Sequence, residues 1–565
     1  MIEHNNKYRL NHLNNEEIIK LCTSLREEFI QTILETGGHF AGNLGVVELT
    51  TALLANFAPP KDSIIWDVGH QSYIYKMLTG RRDSLHTIRQ KDGLSGFPKM
   101  DESDYDAFGT GHSSTALSAS LGIATAKFLR QDSSKTIAIV GDGALTGGMV
   151  WEALNNIPKK TLNLIIIIND NHIGIDPNTG NIDAHLQNIK NYAANIFDNF
   201  GIKYTGPIDG HNIPDLMKVL SESKEQGSPQ IIHIKTVKGK GYEPAEKRQT
   251  QFHARSKYVK INKHQPAQKK WQDVFGECLV ELAKTNEKIV AITPAMPSGS
   301  GLNTFMKLYP ERSFDVGIAE QHALTFAAGM ATHGYIPFVN IYSTFLQRAY
   351  DQLIHDIALQ NLPVVIAVDR AGLVGEDGPT HHGVFDLSYL LPIPNLIITA
   401  PANEEQFRFL LEQASITKSP FIIRYPKGNI LNKISLSTSK KTLIEHRKGR
   451  LNLVISIGNS SSIVSKITDY DFTWIQPLYL KPLPIEEIIS YISNHSNVVI
   501  IEDGSLKGGI GEFIKSKIQE TGIKSIIHTL GIKDQFVSHG SIAELHEECG
   551  FSETDIIKCL KPATS

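Results

Sequence analysis

The feature that most constrains the fold is a strand–helix–strand pattern in the first half of the chain. Residues 136–140 (TIAIV) are typical of a buried strand, a helical pattern covers residues 146–155, and residues 162–168 (LNLIIII) form a second apolar run. Two such strands joined by one helix within about 30 residues make a βαβ unit, whose strands must be parallel. The chain is therefore predicted to be an α/β protein built on parallel sheets.

The same alternation of strand and helix patterns continues along the chain. Helical patterns cover residues 320–330 and 345–358, and polar stretches at 265–270 and 435–448 mark two linkers. Further strand candidates are residues 288–293, 336–340, 363–368, 396–399, 421–423, 453–457, 474–477 and 498–502. Domains average roughly 100–200 residues. We predict three doubly wound α/β domains with mostly parallel sheets, at residues 1–265, 266–434 and 445–565.

Polar residues follow both strands of the first βαβ unit. Gly141-Asp142-Gly143-Ala144 comes directly after the first strand, and the second ends in Asn169-Asp170-Asn171. One helix and one strand separate Asp142 from Asn171, so both are expected at one sheet edge, where open parallel sheets bind ligands. Glycines let the backbone approach a phosphate, and the side-chain oxygens suit Mg²⁺. Residues 141–144 alone would also fit a turn with a helix-capping Asp. Together with Asn171 at the end of the next strand, they resemble the thiamine-diphosphate motif.

A glutamate at the start of a later helical pattern fits the same cofactor. In the thiamine-diphosphate superfamily, a glutamate of a second domain bonds the pyrimidine ring and so favours loss of the thiazolium C2 proton. Glu320 occupies the expected place; the alternative is a first-turn glutamate that the helix dipole favours. By resemblance, Phe345 is the aromatic that stacks on the aminopyrimidine, and the alternative is a core position in a helix.

Colinear motifs along nearly the whole chain make the resemblance specific. They are GGHFAGNLGVVELT (37–50), WDVGHQSY (66–73), LTGRRD (78–83), GHSSTALSA (111–119), GDGALTGGM (141–149), GPIDGH (206–211), KGKGYEPAE (238–246), IAEQHALTFAAG (318–329), YSTFLQRAYDQ (342–352), DRAGLVGEDGPTHHGVFDLSYL (369–390) and RYPKGN (424–429). The chain thus resembles the transketolase-like family of 1-deoxy-D-xylulose-5-phosphate synthases. The resemblance implies condensation of pyruvate with D-glyceraldehyde 3-phosphate through a thiamine-diphosphate carbanion, feeding isoprenoid, thiamine and pyridoxal biosynthesis.

The resemblance also implies roles for individual residues. The expected catalytic residues are Glu320, His39, His253 and His381. Contacts to thiamine diphosphate are expected from His70, Gly111, His112, Ser113, Gly143, Ala144, Asn171, Tyr242, Glu320 and Phe345. Mg²⁺ is expected on Asp142, Asn171 and the backbone carbonyl of Ile173. The expected substrate residues are Tyr342, Arg370, Asp377 and His381, with Lys427 at the phosphate of the acceptor.

Two features depart from the family pattern. Lys427 stands where the family usually has arginine, so the site keeps a point charge for phosphate but loses the bidentate fork. The stretch from Asn171 to Gly206 is shorter than is usual. Within it, residues 176–181 predict a compact turn and residues 183–199 one short helix. This shortening leaves a different acceptor aldehyde open.

Composition favours a cytoplasmic protein. The net charge of −3 gives no basis for sequence-independent binding to nucleic acid or to an anionic membrane. The four cysteines are scattered without a CxxC pair, which favours a reducing compartment. The polar N-terminus carries no apolar segment of the kind found in secretory signals. From the resemblance we also expect a homodimer.

Three other functions are considered. The nearest is another thiamine-diphosphate transferase, such as a transketolase, with a different acceptor aldehyde or ketose donor. A non-catalytic relative is disfavoured because Glu320, Asp142 and Asn171 are all present. An E1 component of a dehydrogenase complex would need a lipoyl-domain docking surface, and the sequence shows no such feature. The C-terminal segment, with Glu502-Asp503-Gly504 and glycines at 508, 509 and 511, is expected to be structural.

Overall fold

A computed structural model describes residues 10–158, 162–189, 195–255, 268–430 and 441–560 of the protein. The chain divides into two compact units. The first contains Met1–Ile261 and Gly317–Ala319, and the second contains Asn262–Val316 and Glu320–Ser565. The predicted boundaries at 265/266 and 434 lie outside the described residues, and the division into three domains stays a prediction. The predicted start of the third domain at 445 is wrong as a linker position, because it falls inside the strand Leu443–Arg447.

The first unit is built around a five-stranded sheet among the described residues. Its strands, in spatial order, are Ser63–Trp66, Thr136–Gly141, Leu164–Asp170, Gln230–Lys235 and Lys203–Asp209. All neighbouring pairs are parallel, which confirms the predicted βαβ unit. The central strands are buried along nearly their whole length. Burial on both faces explains why their sequences are continuous β-branched runs. A two-stranded antiparallel pair joins Gly38–His39 to Ala254–Arg255.

Helices cover this sheet, and one of them differs from its prediction. The α-helices of the unit are Asn15–Thr36, Ala41–Leu44, Val47–Asn56, Tyr73–Lys76, Ala116–Leu129, Gly148–Asn155, Gly180–Asn188, Ile213–Glu225 and Glu243–Lys247. The predicted helix at 146–155 is wrong at its start, because a 3₁₀ turn, Gly143–Thr146, comes first and Gly147 is extended. A Cβ at position 147 would lie 2.3 Å from the hydroxyl of Ser114, so the chain packs closely there.

The second unit contains two sheets. The larger has seven strands among the described residues, in the spatial order Tyr479–Lys481, Ile397–Thr399, Phe421–Arg424, Val365–Asp369, Ile336–Tyr342, Ile289–Thr293 and Ser313–Asp315. The smaller has five, in the order Leu443–Arg447, Phe472–Pro477, Asn452–Ser456, Asn497–Ser505 and Ile526–Ile532. In each sheet only one edge strand, Tyr479–Lys481 or Leu443–Arg447, runs antiparallel among the described residues. The predicted α/β class with mostly parallel sheets is confirmed.

The helices of the second unit include the one that begins at Glu320. They are Trp271–Thr285, Asn303–Leu308, Glu320–Thr332, Ser343–Leu346, Tyr350–Gln352, Asp386–Leu390, Glu404–Ile416, Ser461–Val464, Ile485–Ser493, Ile510–Gln519, Ile542–Cys549 and Glu553–Cys559. The predicted helix at 345–358 is helical but not one regular α-helix. It contains a 3₁₀ turn, Gln347–Ala349, and a π-helical turn, Leu353–Ala358, and the backbone of Ala349 leaves the helical region. No helix within the described ranges is long and apolar enough to cross a bilayer.

A buried arginine links the two sheets of the second unit. Arg424 ends the strand Phe421–Arg424, and its Nε lies 3.0 Å from Asp386, while its Nη1 lies 2.7 Å from Asp503. All three side chains are buried. Opposite charges removed from water in this way must stay paired, because an unpaired buried charge is strongly destabilising.

Replacing Asp386 by asparagine is therefore expected to lower the free energy of unfolding by about 3 kcal/mol. Urea unfolding followed by fluorescence measures this change. The control is Glu277→Gln, which removes an exposed carboxylate from its pairs with Lys269 and Arg408 and should cost less than about 1 kcal/mol. Equal effects of the two substitutions would contradict the structural role of the buried pair.

The glycine cluster near residue 508 is explained by a buried carboxylate. Glu502 accepts the backbone N–H groups of Ile510 and Gly511 at 3.0 and 3.1 Å, at the start of the helix Ile510–Gln519. A Cβ at Gly509 would lie 2.5 Å from this carboxylate. The position where a helix N-terminus binds an external anion is thus filled by the protein itself, which accords with the structural role expected for this segment.

Candidate active site

In the turn after the strand Thr136–Gly141, the carboxylate of Asp142 is fixed by hydrogen bonds from backbone N–H groups. Asp142 Oδ1 accepts the N–H of Gly143 at 2.8 Å, and Oδ2 accepts the N–H groups of Asn171 at 2.9 Å and of His172. The strands place them together, because Gly141 pairs in register with Asn169. The structure thus brings Asp142 and Asn171 to one sheet edge, as their spacing predicts.

Two further side chains lie at this edge that the sequence interpretation did not select. Oxygen and nitrogen atoms of Asp142, Asp170 and His172 lie within 4.8 Å of one another. Asp170 is paired with His233 at 2.9 Å and with His172 at 3.2 Å. Burial and the nearby charge of Asp170 raise the pKa of Asp142. Asp170 belongs to the polar run Asn169-Asp170-Asn171 at the end of the second strand, so the sequence did contain a signal for it. The sequence does not show which residues of this run face Asp142.

A pocket with a cavity volume of about 80 Å³ opens at this edge. Its lining includes seven of the residues predicted for the cofactor and metal, namely His70, Ser113, Asp142, Gly143, Ala144, Asn171 and Ile173. Gly174 also lines the pocket, and its backbone N–H donates a hydrogen bond to Oδ1 of Asn178 at 3.0 Å. Gly141, Gly143 and Gly174 in the lining carry no side chain, which leaves room for a phosphate to approach closely.

Three other predicted cofactor residues of the first unit are absent from this lining. Gly111 and His112 directly precede Ser113, which does line the pocket. Tyr242 instead packs against the rings of Phe40 and Phe252, with centroids 5.4 and 5.9 Å away. The role of Tyr242 as a cofactor contact stays a prediction.

Three histidines from distant parts of the chain converge beside the pocket. The ring of His39 lies 5.6 Å from that of His70 and 5.9 Å from that of His253, and His70 and His253 are 5.0 Å apart. His39 is held by the hydroxyl of Tyr73 at 3.0 Å from Nδ1. Among the described residues, Nδ1 of His70 is buried without a hydrogen-bond partner. Burial, with the positive charge of Lys238, lowers the pKa of His70 to about 3, so this ring is neutral at physiological pH.

Lys238 is a pocket residue that the sequence interpretation missed. Its side chain is buried, donates to the carbonyl of Gly174 and lies 3.2 Å from Nδ1 of His253. Burial lowers the pKa of Lys238 to about 8. The residue begins the KGKGYEPAE motif, so its position was visible, whereas its burial inside the pocket depends on contacts distant in sequence.

In the second unit, Glu320 begins the helix Glu320–Thr332 as a buried residue. Only 5% of its surface is exposed, which is unlike the solvated first-turn glutamate that the helix dipole alone would favour. Burial raises the pKa of Glu320, and the charge of Arg348, 4.0 Å away, opposes the shift. The carboxyl group therefore has a stronger tendency to hold a proton than an exposed glutamate.

An aromatic stack in the second unit includes four predicted residues. Tyr342 and Phe345 stack with ring centroids 5.6 Å apart and an interplanar angle of 11°. The ring of His381 meets Phe345 edge-on at 5.6 Å, and the guanidinium of Arg370 lies 3.8 Å from the centroid of Tyr342. Phe345, predicted at the aminopyrimidine, thus neighbours three of the predicted substrate residues. It is half-buried and packs against the hydrophobic core of the unit.

The two remaining predicted substrate residues form a pair. Nζ of Lys427 lies 3.4 Å from the carboxylate of Asp377 and 3.2 Å from the carbonyl of Val374. The lysine side chain is 37% exposed, so its ammonium group is accessible to a ligand.

The shortened stretch after Asn171 folds compactly. The N–H of Asn178 bonds the carbonyl of His172 at 3.1 Å, and Ile173 bridges Pro177, so the chain reverses at residues 172–178. The turn predicted at 176–181 is wrong in its bounds, because the helix Gly180–Asn188 has already begun at its end. Of the helix predicted at 183–199, the structure shows the helix Gly180–Asn188 and a 3₁₀ turn, Ile196–Phe200, while residues 190–194 lie outside the described residues.

Comparisons with known proteins match three domain families to successive parts of the chain. The domain family described as 1-deoxy-D-xylulose-5-phosphate synthase matches residues 2–194 and 188–236. The transketolase pyrimidine-binding domain matches residues 267–432, and the transketolase C-terminal domain matches residues 457–556. The first family matches in two pieces that meet at 188–194, as expected where a stretch of family sequence is missing.

Curated relatives match nearly the whole chain. A 1-deoxy-D-xylulose-5-phosphate synthase of Cytophaga hutchinsonii is 41% identical, with 98% of this chain and 96% of the relative covered. One of Clostridium acetobutylicum is 42% identical, with 95% of each chain covered. The first alignment spans 612 positions, more than the 565 residues of this chain, so the relative carries residues that are missing here. Among solved structures, a transketolase of Campylobacter jejuni is 18% identical, covers 97% of this chain and 99% of its own, and has a TM-score of 0.44.

Proposed function

Because the chain belongs to the 1-deoxy-D-xylulose-5-phosphate synthase family, we propose that it joins pyruvate to D-glyceraldehyde 3-phosphate with loss of CO₂. The product is 1-deoxy-D-xylulose 5-phosphate, a precursor for isoprenoids, thiamine and pyridoxal. The observation that carries the proposal is the pocket at Asp142, whose lining includes seven of the residues expected to hold thiamine diphosphate and Mg²⁺.

The residues of this pocket fit the cofactor and metal of the family. Asp142 and Asn171 offer oxygen ligands that suit Mg²⁺. Gly143 and Gly174 line the pocket without a side chain that would obstruct a diphosphate, and the buried, unpartnered Nδ1 of His70 is a polar atom that a ligand can satisfy. When bound, thiamine diphosphate supplies the electron sink that decarboxylation of a 2-keto acid requires.

Glu320 is proposed to hold a proton at its carboxyl group and share it with the pyrimidine ring of the cofactor. Its burial supports this role, since desolvation favours the neutral carboxyl form. Phe345 and Tyr342 offer flat apolar surfaces for the ring.

The cluster of His39, His70 and His253 is proposed to bind the 2-keto acid and to exchange protons with its oxygen. A neutral histidine can donate from one ring nitrogen and accept at the other, and the low pKa of His70 keeps it neutral. Lys238 adds a buried cation that stabilises negative charge, such as the carboxylate of the donor, in a site with little water.

Arg370, Asp377, His381 and Lys427 are proposed to bind the acceptor aldehyde. Arg370 and Lys427 bring positive charge for a phosphate, and Asp377 and His381 can bond hydroxyl and carbonyl groups. The pair of Lys427 with Asp377 supports this grouping.

Replacing Lys427 by alanine is expected to raise the KM of the acceptor about tenfold, because a charge-assisted hydrogen bond to phosphate is lost. Lys427→Arg should lower the KM below that of the wild type by restoring the bidentate fork. Steady-state kinetics at saturating pyruvate measures both. An unchanged KM in the alanine variant would remove this residue from the acceptor site.

A donor and acceptor screen tests the proposed function. We expect turnover with pyruvate plus D-glyceraldehyde 3-phosphate and little with ketose phosphates as donors. Turnover of xylulose 5-phosphate with ribose 5-phosphate, without use of pyruvate, would support the transketolase alternative instead. We also propose a homodimer, which light scattering in solution can test.

A further inference from the structure

One buried carboxylate contacts Arg370 at two places. Asp369 ends the strand Val365–Asp369, and its side chain is fully buried. Its Oδ1 accepts the backbone N–H of Arg370 at 2.7 Å, and its Oδ2 accepts a hydrogen bond from Nη1 of the same arginine. Asp369 therefore fixes both the main chain and the head group of its neighbour.

The backbone of Arg370 depends on such support. Its φ of 58° lies in the left-handed region, which residues other than glycine adopt rarely and mainly where surrounding contacts enforce it. Gly383 packs closely on this backbone, because a Cβ at that glycine would lie 2.4 Å from the carbonyl oxygen of Arg370. Strained backbone held in this way is a recurrent feature of functional sites.

The guanidinium group keeps one edge available. Nη1 bonds Asp369 and lies 3.4 Å from the carbonyl of Gly299, and the plane rests on the ring of Tyr342. Within the part of the chain that the structure describes, Nε and Nη2 of Arg370 have no hydrogen-bond partner. These two donors form one edge of the planar group, and their spacing matches two oxygens of a phosphate.

We propose that Asp369 is a positioning residue that orients this edge of Arg370 toward the phosphate of the acceptor aldehyde. The proposal rests on the proposed function, and it goes beyond the family resemblance, which assigns no role to Asp369. The aromatic stack supports the proposal. Arg370 lies over the ring of Tyr342, Tyr342 stacks on Phe345, and Phe345 contacts the ring of His381. A tilt of the guanidinium would therefore change the contact with the whole stack.

Asp369→Asn separates the two contacts of the carboxylate. The amide oxygen can still accept the N–H of Arg370, whereas the amide nitrogen cannot accept a bond from Nη1. The measurement is kcat/KM for D-glyceraldehyde 3-phosphate divided by kcat/KM for unphosphorylated D-glyceraldehyde. We expect this ratio to fall about tenfold, with the KM of pyruvate unchanged.

Two further variants keep the test decisive. Asp386→Asn is the matched control, since Asp386 is also a buried carboxylate paired with a buried arginine; it should destabilise the protein and leave the ratio unchanged. Arg370→Lys should lower the ratio, and combining it with Asp369→Asn should lower it no further, because the two residues act as a unit.

The outcomes distinguish this proposal from the proposed function. A wild-type enzyme that forms no product from pyruvate and D-glyceraldehyde 3-phosphate contradicts the function. A functional wild type with an unchanged ratio in Asp369→Asn overturns only the positioning role. Equal losses on both acceptors, or additive effects in the double variant, would also overturn it, since they indicate general damage to the fold.

Discussion

Glu320→Gln is expected to lower kcat by about 10²–10⁴-fold, the range for loss of a positioned acid or base. Glutamine has nearly the same shape, so it can remain in the buried position at the start of the helix Glu320–Thr332. It cannot hold the exchangeable carboxyl proton that burial favours in Glu320. Affinity for thiamine diphosphate, measured by calorimetry, should change far less than kcat, because the binding residues of the Asp142 pocket are untouched.

Glu404→Gln is the matched control for this prediction. Glu404 also begins a helix, Glu404–Ile416, but its carboxylate is partly exposed and pairs with Arg408. Glu404→Gln removes the full charge of a first-turn carboxylate, so a helix-dipole effect would be at least as large in this variant as in Glu320→Gln. A kcat for Glu320→Gln equal to that of Glu404→Gln would contradict the proposed role in cofactor activation.

Asp142→Asn is expected to weaken binding of thiamine diphosphate with Mg²⁺ by more than about 100-fold. Loss of an outer-shell partner of a metal site costs about 10–100-fold in affinity, and Asp142 is proposed as a direct ligand. The amide retains an oxygen but loses the charge that attracts the cation, and its N–H₂ cannot accept the bonds that Asn171 and His172 donate. Titration calorimetry with the cofactor and Mg²⁺ measures the change.

The control for this second prediction is Asp132→Asn. Asp132 is exposed and likewise accepts a backbone N–H group, that of Ser134, at 2.8 Å. It lies outside the pocket at Asp142, so its replacement should leave cofactor affinity within about twofold of the wild type, as is usual for surface substitutions. Unchanged affinity in Asp142→Asn would place the metal elsewhere.

The strands were predictable because burial on both faces imposes continuous apolar runs, as in Leu164–Asp170. The approach of Asn171 to Asp142 was predictable for a geometric reason, since parallel strands end at one sheet edge. The convergence of His39, His70 and His253 was not visible from spacing. It followed only from the motifs shared with the family, because segments far apart in sequence bring these rings together.

Other features depend on contacts that no local pattern reveals. The helix Gly148–Asn155 starts later than its sequence pattern suggests, and the extended Gly147 before it packs closely on Ser114. Lys238 is a pocket residue because its loop is buried, whereas most lysines are exposed. Asp369 follows the predicted strand at 363–368, and no local pattern indicates that its carboxylate binds Arg370 twice.

The most direct test of the central claim is identification of the product by NMR. The purified full-length protein would be incubated with Mg²⁺, thiamine diphosphate, [2,3-¹³C]pyruvate and D-glyceraldehyde 3-phosphate. The prediction is 1-deoxy-D-xylulose 5-phosphate that carries both labelled carbons as its methyl and carbonyl groups, with release of unlabelled CO₂. Intact labelled pyruvate in the presence of bound cofactor, or label in a different ketose, would contradict it.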